Sequence, residues 1–393
     1  MNQGSEAPRT TVLVLDAMQR SALATTRSLG RSGCKVITAD SSQKSLAGSS
    51  RHSHAHWVYP DPYSQPSAFV DWAQSALNRQ AVQVAMPMTE VTTDLLVRNS
   101  QHWPNVLLPY APINRIDQLC DKARLMIRAS ELGIPIPFTM HINNPGGQLP
   151  DPEALHYPLV LKPTRSRIML DSHWLNTAVN IVHNAKELRD ALTTEAFRNH
   201  PFMIQDYIDG TGQGIFALYG HGTSLAFFSH RRIRERPPWG GVSVLSESVK
   251  PDPLLQTLAQ RLLDDAQWHG VAMVEFKVAR DGTPYLMEIN TRFWGSLQLA
   301  IDAGIDFPVM LLDLAFGKPI KPPDIREHIK LRWLLGDMDH LYLTWRSRRY
   351  SLAHKLRTTA ALLKPDLSGM TRHEVNRLGD MKPAWHELTA YFS

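Results

Sequence analysis

Oxygen-bearing side chains in segment 273–292 offer the clearest chemistry in the sequence. Two strand-like runs are joined there by an Asp-Gly dipeptide, which is typical of a tight β-hairpin turn. Side chains alternate along a strand, so Glu288 and Asn290 share one face, and Glu275 lies on the neighbouring strand. Carboxylate and amide oxygens are the ligands that Mg²⁺ or Mn²⁺ prefers. The pattern therefore predicts a divalent-metal site on one face of a hairpin.

The same hairpin is expected to have an anion site beside the metal ligands and a buried apolar face on its other side. Arg292 is the next residue on the metal-facing side, where a guanidinium can hold an oxyanion in forked geometry. Met287 and Ile289 are expected to bury the opposite face. Two facing carboxylates repel each other, so a bound cation gives them a physical reason, whereas a solvated hairpin with outward acids is the alternative.

A second unusual segment, 231–241, holds four arginines within six residues, followed by Pro-Pro and Gly-Gly pairs. Such crowding of positive charge favours a nearby anion. Strand periodicity places Arg232 and Arg234 on one face, and the prolines and glycines predict a loop with a stiff start. A basic surface strand is the alternative interpretation.

The first hundred residues have the β-α-β order of a parallel sheet. The apolar runs 11–15, 35–40 and 81–86 predict strands, with helices between them. No G-x-G-x-x-G follows the first strand, which argues against a dinucleotide cofactor. Glu90 follows the third of these strands, where ligands of such sheets bind, although an acid at a helix start is also common. The period-two histidines of segment 51–56 are better explained by an exposed strand than by a metal site.

The remainder of the chain has a different pattern. Segment 117–133 is predicted to be one helix closed by glycine and proline, and 159–163 a strand ending near Lys162. Short strands and turns from residue 201 onward predict an antiparallel sheet, and residues beyond 322 predict helices.

The order of these motifs resembles the ATP-grasp superfamily, and within it predicted carboxylate–amine ligases related to the carbamoyl-phosphate synthetase large chain and biotin carboxylase. The resemblance covers roughly residues 10–320. It implies a mixed α/β and α+β fold that begins with a Rossmann-like pre-ATP-grasp domain, residues 1–112. An ATP-grasp domain, 113–321, would follow in two subdomains, 113–200 and 201–321, before a helical region, 322–393.

The resemblance also implies a role for each matching residue. The implied nucleotide-binding residues are Lys122, Lys162, Gln205, Asp206, Tyr207, Ile208 and, as the nearest ribose-binding acid, Asp209. The implied metal ligands are Glu275, Glu288 and Asn290, and the implied catalytic residues are Arg292 and Arg232. Many relatives have a glycine-rich flap after the second lysine, but segment 164–172 contains no glycine.

The implied activity is an ADP-forming ligase that uses ATP and Mg²⁺ or Mn²⁺. It would activate a carboxylate as an acyl phosphate and join it to an amine of amino-acid or peptide-like type. Two alternatives stay open: a bicarbonate-activating carboxylase, and an ATP-binding regulatory or scaffold protein without turnover. The expected partners are a small carboxylate, an amine and, in a homodimer, a second copy, but not nucleic acid.

Composition sets outer limits on these predictions. The chain has 393 residues and a net charge of +5, which suits anionic ligands without demanding nucleic acid. Cys34 and Cys120 are its two cysteines, too few and too far apart for a disulfide framework. The N-terminal apolar run is too short for a signal sequence or a transmembrane segment, so a cytoplasmic location is expected.

Overall fold

The computed structural model describes residues 9–79, 81–147, 149–171, 173–364, 366 and 369–392. Its N-terminal part is a four-stranded parallel sheet of order β3-β2-β1-β4. The elements of this part are β1 (Thr11–Val14), α1 (Arg20–Arg31), β2 (Lys35–Asp40), β3 (Ser53–Val58), α2 (Pro66–Arg79), β4 (Val84–Met86) and α3 (Glu90–Arg98). The predicted parallel sheet is confirmed, although β4 begins three residues later than expected. Helices cover the sheet, so Val12, Leu13 and Val14 are fully buried.

Segment 117–133 was predicted as one helix, and this is wrong. Two helices, α4 (Ile113–Cys120) and α5 (Lys122–Glu131), meet at Asp121. The Asp121 backbone is extended, and its carboxylate accepts hydrogen bonds from the backbone N–H groups of Ala123 and Arg124. An aspartate in this capping position starts a new helix, and Lys122 becomes its first residue.

Two antiparallel sheets follow the parallel sheet. The smaller has the order β5-β10-β6-β9, and the larger has the order β15-β14-β11-β12-β13-β16-β17. The small sheet contains β5 (Thr139–Ile142), β6 (Leu159–Pro163), β9 (Asn180–Val182) and β10 (Phe202–Asp206), with the separate hairpin β7 (Arg167–Met169) and β8 (Trp174–Asn176) inserted after β6. The large sheet contains β11 (Gly210–Gly220), β12 (Thr223–Arg236), β13 (Val242–Val249), β14 (Gly270–Ala279), β15 (Pro284–Asn290), β16 (Lys330–Arg332) and β17 (Thr371–His373).

Helices pack against these sheets and continue to the C-terminus. They are α6 (Ala185–Leu192), α7 (Glu195–Arg198), α8 (Pro253–Asp265), α9 (Leu297–Asp302), α10 (Phe307–Ala315), α11 (Leu334–Arg346), α12 (Leu352–Leu363) and α13 (Lys382–Phe392). The region 322–393 contains α11, α12 and α13, and it also adds β16 and β17 to the large sheet. Residues 365, 367, 368 and 393 of that region lie outside the described residues, as do residues 1–8 and position 172 of the glycine-free segment. The domain boundaries stay a prediction.

A buried arginine joins the first helix to the C-terminal segment. The Arg27 guanidinium is 1% exposed, and its Nε donates to the Asp380 carboxylate over 2.8 Å. Its remaining nitrogens donate to the backbone carbonyls of Glu374, Val375 and Asp380, each over 2.9 Å. All of these acceptors are more than 340 positions away along the chain. This contact therefore ties the two ends of the described chain together.

Replacing Arg27 by methionine should destabilise the fold. The substitution removes the partner of a buried carboxylate and leaves three carbonyls without donors, a change that costs about 3–5 kcal/mol in comparable buried pairs. Urea denaturation followed by circular dichroism measures the loss. Arg189→Met is the matched control, because Arg189 and its partner Glu153 are 53% and 68% exposed and such pairs contribute about 0–1 kcal/mol. Equal denaturation midpoints for the two variants would contradict this role of Arg27.

Candidate functional site

The β14–β15 hairpin brings the three predicted metal ligands together. Glu275 lies directly opposite Glu288, and Asn290 lies opposite Met273 one step further along the ladder. The Asn290 amide nitrogen is 3.2 Å from Glu275 Oε1 and 3.4 Å from Glu288 Oε1. The three side chains are half-buried and therefore form one compact cluster with oxygen donors at its surface.

One detail of the hairpin prediction is wrong. Met287 was expected on the apolar back with Ile289, but the register shifts between Glu275 and Phe276. This bulge interrupts the alternation of side chains, so Ile289 is buried while Met287 is half-buried and its sulfur lies 3.9 Å from Lys162 Nζ. Met287 therefore faces the small sheet across the cleft rather than the core.

Two lysines approach the carboxylates from other elements. Lys122, the first residue of α5, is 7% exposed, and its ammonium lies 3.6 Å from Glu288 Oε2. Its own backbone N–H donates to the Thr164 carbonyl over 2.7 Å, which holds the helix start against the segment after β6. Lys162 comes from β6, in the small sheet. The cleft between the two antiparallel sheets thus has positive charge on one side and acids on the other.

Burial and mutual charge set the protonation of this cluster. Burial would raise the pKa of the Glu288 carboxyl, but the ammonium groups of Lys122 and Lys162 hold that pKa below its ordinary value. Burial and the charge of Glu288 together raise the pKa of Glu275. Burial also lowers the pKa of Lys162 to about 8, although Glu288 acts against the shift. Glu288 is therefore the better anionic ligand of the two acids at neutral pH.

The two predicted catalytic arginines, Arg232 and Arg292, lie beside the carboxylate cluster. Arg232 NH2 lies 3.0 Å from Glu275 Oε2, and its NH1 lies 3.2 Å from Glu235 Oε1. Arg292 donates to the Asn290 side-chain oxygen over 3.3 Å. Both arginines line a cavity of about 270 Å³ beside the carboxylates. The guanidiniums are thus positioned to meet an anion in that cavity.

The expectation that Arg232 and Arg234 share one face is wrong. The pairing of β12 with β13 shifts on both sides of Arg234, so the strand bulges there. Arg234 instead forms a two-pronged ion pair with the fully buried Asp337 of α11, at 2.6 and 2.5 Å. Its role is structural. The loop that follows requires Gly241, since a Cβ there would come 2.3 Å from the Arg236 carbonyl oxygen.

The predicted hinge links the small sheet to the large one. The Gln205 side chain lies within the small sheet, where its amide nitrogen donates to the Thr139 hydroxyl over 2.8 Å. Asp206 is exposed, and Tyr207 and Ile208 are half-buried. The Asp209 carboxylate pairs at 2.7 Å with Arg280, and both side chains are largely exposed. The adenine and ribose roles of these five residues stay predictions.

The glycine-free segment after Lys162 forms a short hairpin rather than an open loop. β7 and β8 pair antiparallel, and Trp174 N–H donates to the Tyr63 carbonyl of the N-terminal part over 2.9 Å. Before the hairpin, Ser166 Oγ accepts a hydrogen bond from Lys122 Nζ over 2.7 Å. This segment therefore touches the candidate site through a serine hydroxyl.

Several residues that motif order did not single out also border the site. The Lys277 ammonium lies 4.6 Å from the centre of the Tyr207 ring, and its positive charge helps to lower the pKa of Lys162. His230 is buried in the cavity wall and lies 2.9 Å from Ser296 Oγ, and burial lowers its pKa to about 3. Lys277 belongs to the same strand face as Glu275, so period-two spacing could have found it.

Glu90, by contrast, was proposed from its place after a strand of the parallel sheet. Burial raises the pKa of Glu90, while the charges of Lys122 and Arg292 act against that rise. The N-terminal part therefore contributes a carboxyl group within electrostatic reach of the cluster. A substrate contact for Glu90 stays a prediction.

The donor set fits a hard divalent cation. Two carboxylates and one amide group converge on one side. The Asn290 amide nitrogen faces the carboxylates and its oxygen accepts from Arg292, so the amide would turn over to offer its oxygen to Mg²⁺ or Mn²⁺. Waters or phosphate oxygens can complete the shell. Within the described part of the chain, no group of three or more His, Cys, Asp or Glu side chains is placed to hold a metal. The candidate set differs because its third ligand is an asparagine.

The chain is similar to known ATP-grasp proteins. Residues 198–336 match the family described as "ATP-grasp in the biosynthetic pathway with Ter operon". The L-amino acid ligase from Bacillus licheniformis has a similar structure, with a TM-score of 0.61 and 17% identity over 79% of this chain and 75% of that chain. N5-carboxyaminoimidazole synthetase from Staphylococcus aureus gives 0.63 and 14%, covering 86% of each chain.

A third similar structure contains bound nucleotide. The biotin carboxylase domain dimer of the Hydrogenobacter thermophilus 2-oxoglutarate carboxylase, in complex with MgADP, ADP and bicarbonate, has a TM-score of 0.60 and 16% identity, covering 82% of this chain and 74% of that chain. No curated protein sequence matches the chain. At these identities the structural likeness shows the fold.

Residues 198–336 match an ATP-grasp family, and the chain as a whole has the fold of ATP-grasp proteins. The predicted fold class is confirmed: a parallel N-terminal sheet precedes the antiparallel sheets of the ATP-grasp architecture.

Affinity for ADP should fall as the pH rises through about 8. Lys162 has a pKa of about 8, so it is an ammonium below that pH and a neutral amine above it. If the ammonium binds a phosphate, the dissociation constant of MgADP should rise about tenfold per pH unit above the pKa. Calorimetric titration at a series of pH values measures this. Lys162→Arg is the control, because a guanidinium keeps its charge and should remove the slope. A flat wild-type profile, or the same slope in the variant, would contradict the assignment.

Proposed function

We propose that the protein is an ADP-forming carboxylate–amine ligase. The observation that carries the proposal is the meeting of Lys122, Glu275, Glu288, Asn290 and Arg232 within hydrogen-bond or ion-pair distance of one another. An acyl phosphate forms only where the negative charges of a triphosphate and a carboxylate can be held side by side. This cluster offers cations to both anions and would offer oxygen ligands to a divalent metal.

Each group has a place in the proposed reaction. Lys122 and Lys162 hold phosphate oxygens of ATP, while Arg232 and Arg292 hold the substrate carboxylate in the adjoining cavity. A carboxylate oxygen attacks the γ-phosphorus, the bond to the bridging oxygen of ADP breaks, and ADP leaves. An amine then attacks the acyl carbon, loses a proton and expels inorganic phosphate. When bound, Mg²⁺ or Mn²⁺ at Glu275, Glu288 and Asn290 would neutralise charge on the transferring phosphoryl group.

The cavity favours an organic acid over bicarbonate. Its volume is about 270 Å³, and its wall includes apolar surface from Met273 and Trp294 as well as polar groups. Bicarbonate has four heavy atoms and no apolar part, so it leaves that surface unused. A carboxylate with a carbon side chain, such as an amino acid, fits the mixture of guanidiniums and apolar wall better.

Replacing Glu288 by glutamine should reduce turnover by about a hundredfold or more. The substitution keeps the size of the side chain but removes the anionic charge that Lys122 and the metal require. Phosphate release, screened over pairs of carboxylic acids and amines with ATP and Mg²⁺, is the measurement. Glu195→Gln, an exposed acid at the start of α7, is the control and should keep full activity. Intact turnover in Glu288→Gln would contradict the assignment of Glu288 as a metal ligand. Nucleotide binding without turnover on any pair of carboxylic acid and amine would favour the scaffold alternative.

Two neighbouring arginines provide a test of the carboxylate site. Arg232→Lys should raise the KM for the acid substrate about tenfold or more, because a lysine cannot reproduce forked carboxylate binding. Arg231→Lys should leave that KM unchanged, since Arg231 is 68% exposed and pairs with Glu247 on β13. Steady-state kinetics at saturating ATP separate the two. Equal KM values for both variants would place the carboxylate elsewhere.

A further inference from the structure

The helix α12 presents leucines to solvent rather than to the protein. No residue of this helix is buried, and Leu352, Leu356 and Leu363 are 64%, 54% and 72% exposed. Their spacing of four and seven residues places them on one face. A twelve-residue helix is marginal on its own in water and gains its stability by covering an apolar face. The exposed leucine face therefore calls for a partner.

The helix α12 is fixed to α11 along one edge of its leucine face. Trp345 Nε1 of α11 donates to the Thr359 hydroxyl over 3.0 Å, and Lys355 Nζ donates to the Trp345 carbonyl over 2.9 Å. The helix α11 is itself anchored to the large sheet by Asp337, whose carboxylate pairs with Arg234 and Arg332. This contact therefore borders the leucine face, and the three leucines beside it remain exposed.

Charge identifies the kind of partner. Residues 340–364 contain no aspartate or glutamate, and their six basic residues alone exceed the net charge of +5 of the whole chain. These residues are Arg346, Arg348, Arg349, Lys355, Arg357 and Lys364. Two copies of this face would bring like charges together, so a second copy of the chain is disfavoured. The partner must be both apolar and negatively charged.

We propose that α12 docks the protein on an anionic lipid bilayer. Leucines on one face with arginines and lysines around them are the pattern of helices that lie in the plane of a membrane surface. The neighbouring aromatic side chains of Tyr342 and Trp345, 56% and 42% exposed, suit the headgroup region. The attachment is peripheral. Within the described residues, no helix is both long and apolar enough to cross a membrane.

Vesicle flotation of the full chain tests the proposal independently of catalysis. The protein should float with vesicles of phosphatidylcholine and phosphatidylglycerol at low salt, and not with vesicles of phosphatidylcholine alone. The double variant Leu352→Ser/Leu356→Ser should lower the bound fraction about tenfold, because two apolar side chains no longer enter the bilayer. Both leucines are exposed, so the fold should remain intact, which circular dichroism verifies.

Leu254→Ser is the matched control, since Leu254 is 53% exposed on α8, away from the basic segment. It should float like the wild type. Absence of flotation with anionic vesicles would overturn the proposal, as would equal flotation of the double variant and the wild type. Self-association that the double variant abolishes, without vesicle binding, would assign the face to a second copy. Binding of polyglutamate without vesicle binding would assign it to an acidic protein.

Discussion

The facing carboxylates of Glu275 and Glu288 are the constraint around which the site is built. They lie opposite each other on adjacent strands, and both side chains are half-buried. Two negative charges in such a position repel, and positive charge must be supplied from outside the hairpin. Lys122, Lys162 and Arg232 supply it from a helix start, the small sheet and the central strand of the large sheet. The repulsion between the two carboxylates in this hairpin is thus offset by positively charged side chains from three other elements.

Contacts elsewhere in the fold fix the positions of those elements. The aspartate cap at residue 121 starts α5 at Lys122 and so directs the lysine toward the cleft. The Arg27–Asp380 contact ties α1 to the C-terminal segment, which also adds strands to the large sheet. Arg234, paired with Asp337, fixes α11 behind the basic strand. The geometry of the cleft is therefore supported by ion pairs that lie outside the carboxylate cluster.

The sequence pattern was sufficient to predict the order of the elements and the fold class. It was not sufficient to predict which way side chains face where a strand is irregular. Period-two spacing and the Asp-Gly turn correctly placed Glu275 and Glu288 on one side of a hairpin, and motif order gave the fold class. The bulges beside Met287 and Arg234 reversed the expected facing of both residues, because an extra residue in a strand leaves no mark in the sequence. The helix break at Asp121 was visible only as a capping residue within a helical pattern.

Binding of Mn²⁺ in the presence of ADP tests most directly the claim that this hairpin is a metal site. Electron paramagnetic resonance reports free Mn²⁺, so the bound fraction can be measured without any knowledge of the substrates. We expect that the wild type binds Mn²⁺ with ADP, that Glu275→Gln weakens this binding about tenfold or more, and that Glu195→Gln does not. The same Mn²⁺ affinity in Glu275→Gln and the wild type would show that this hairpin does not hold the metal.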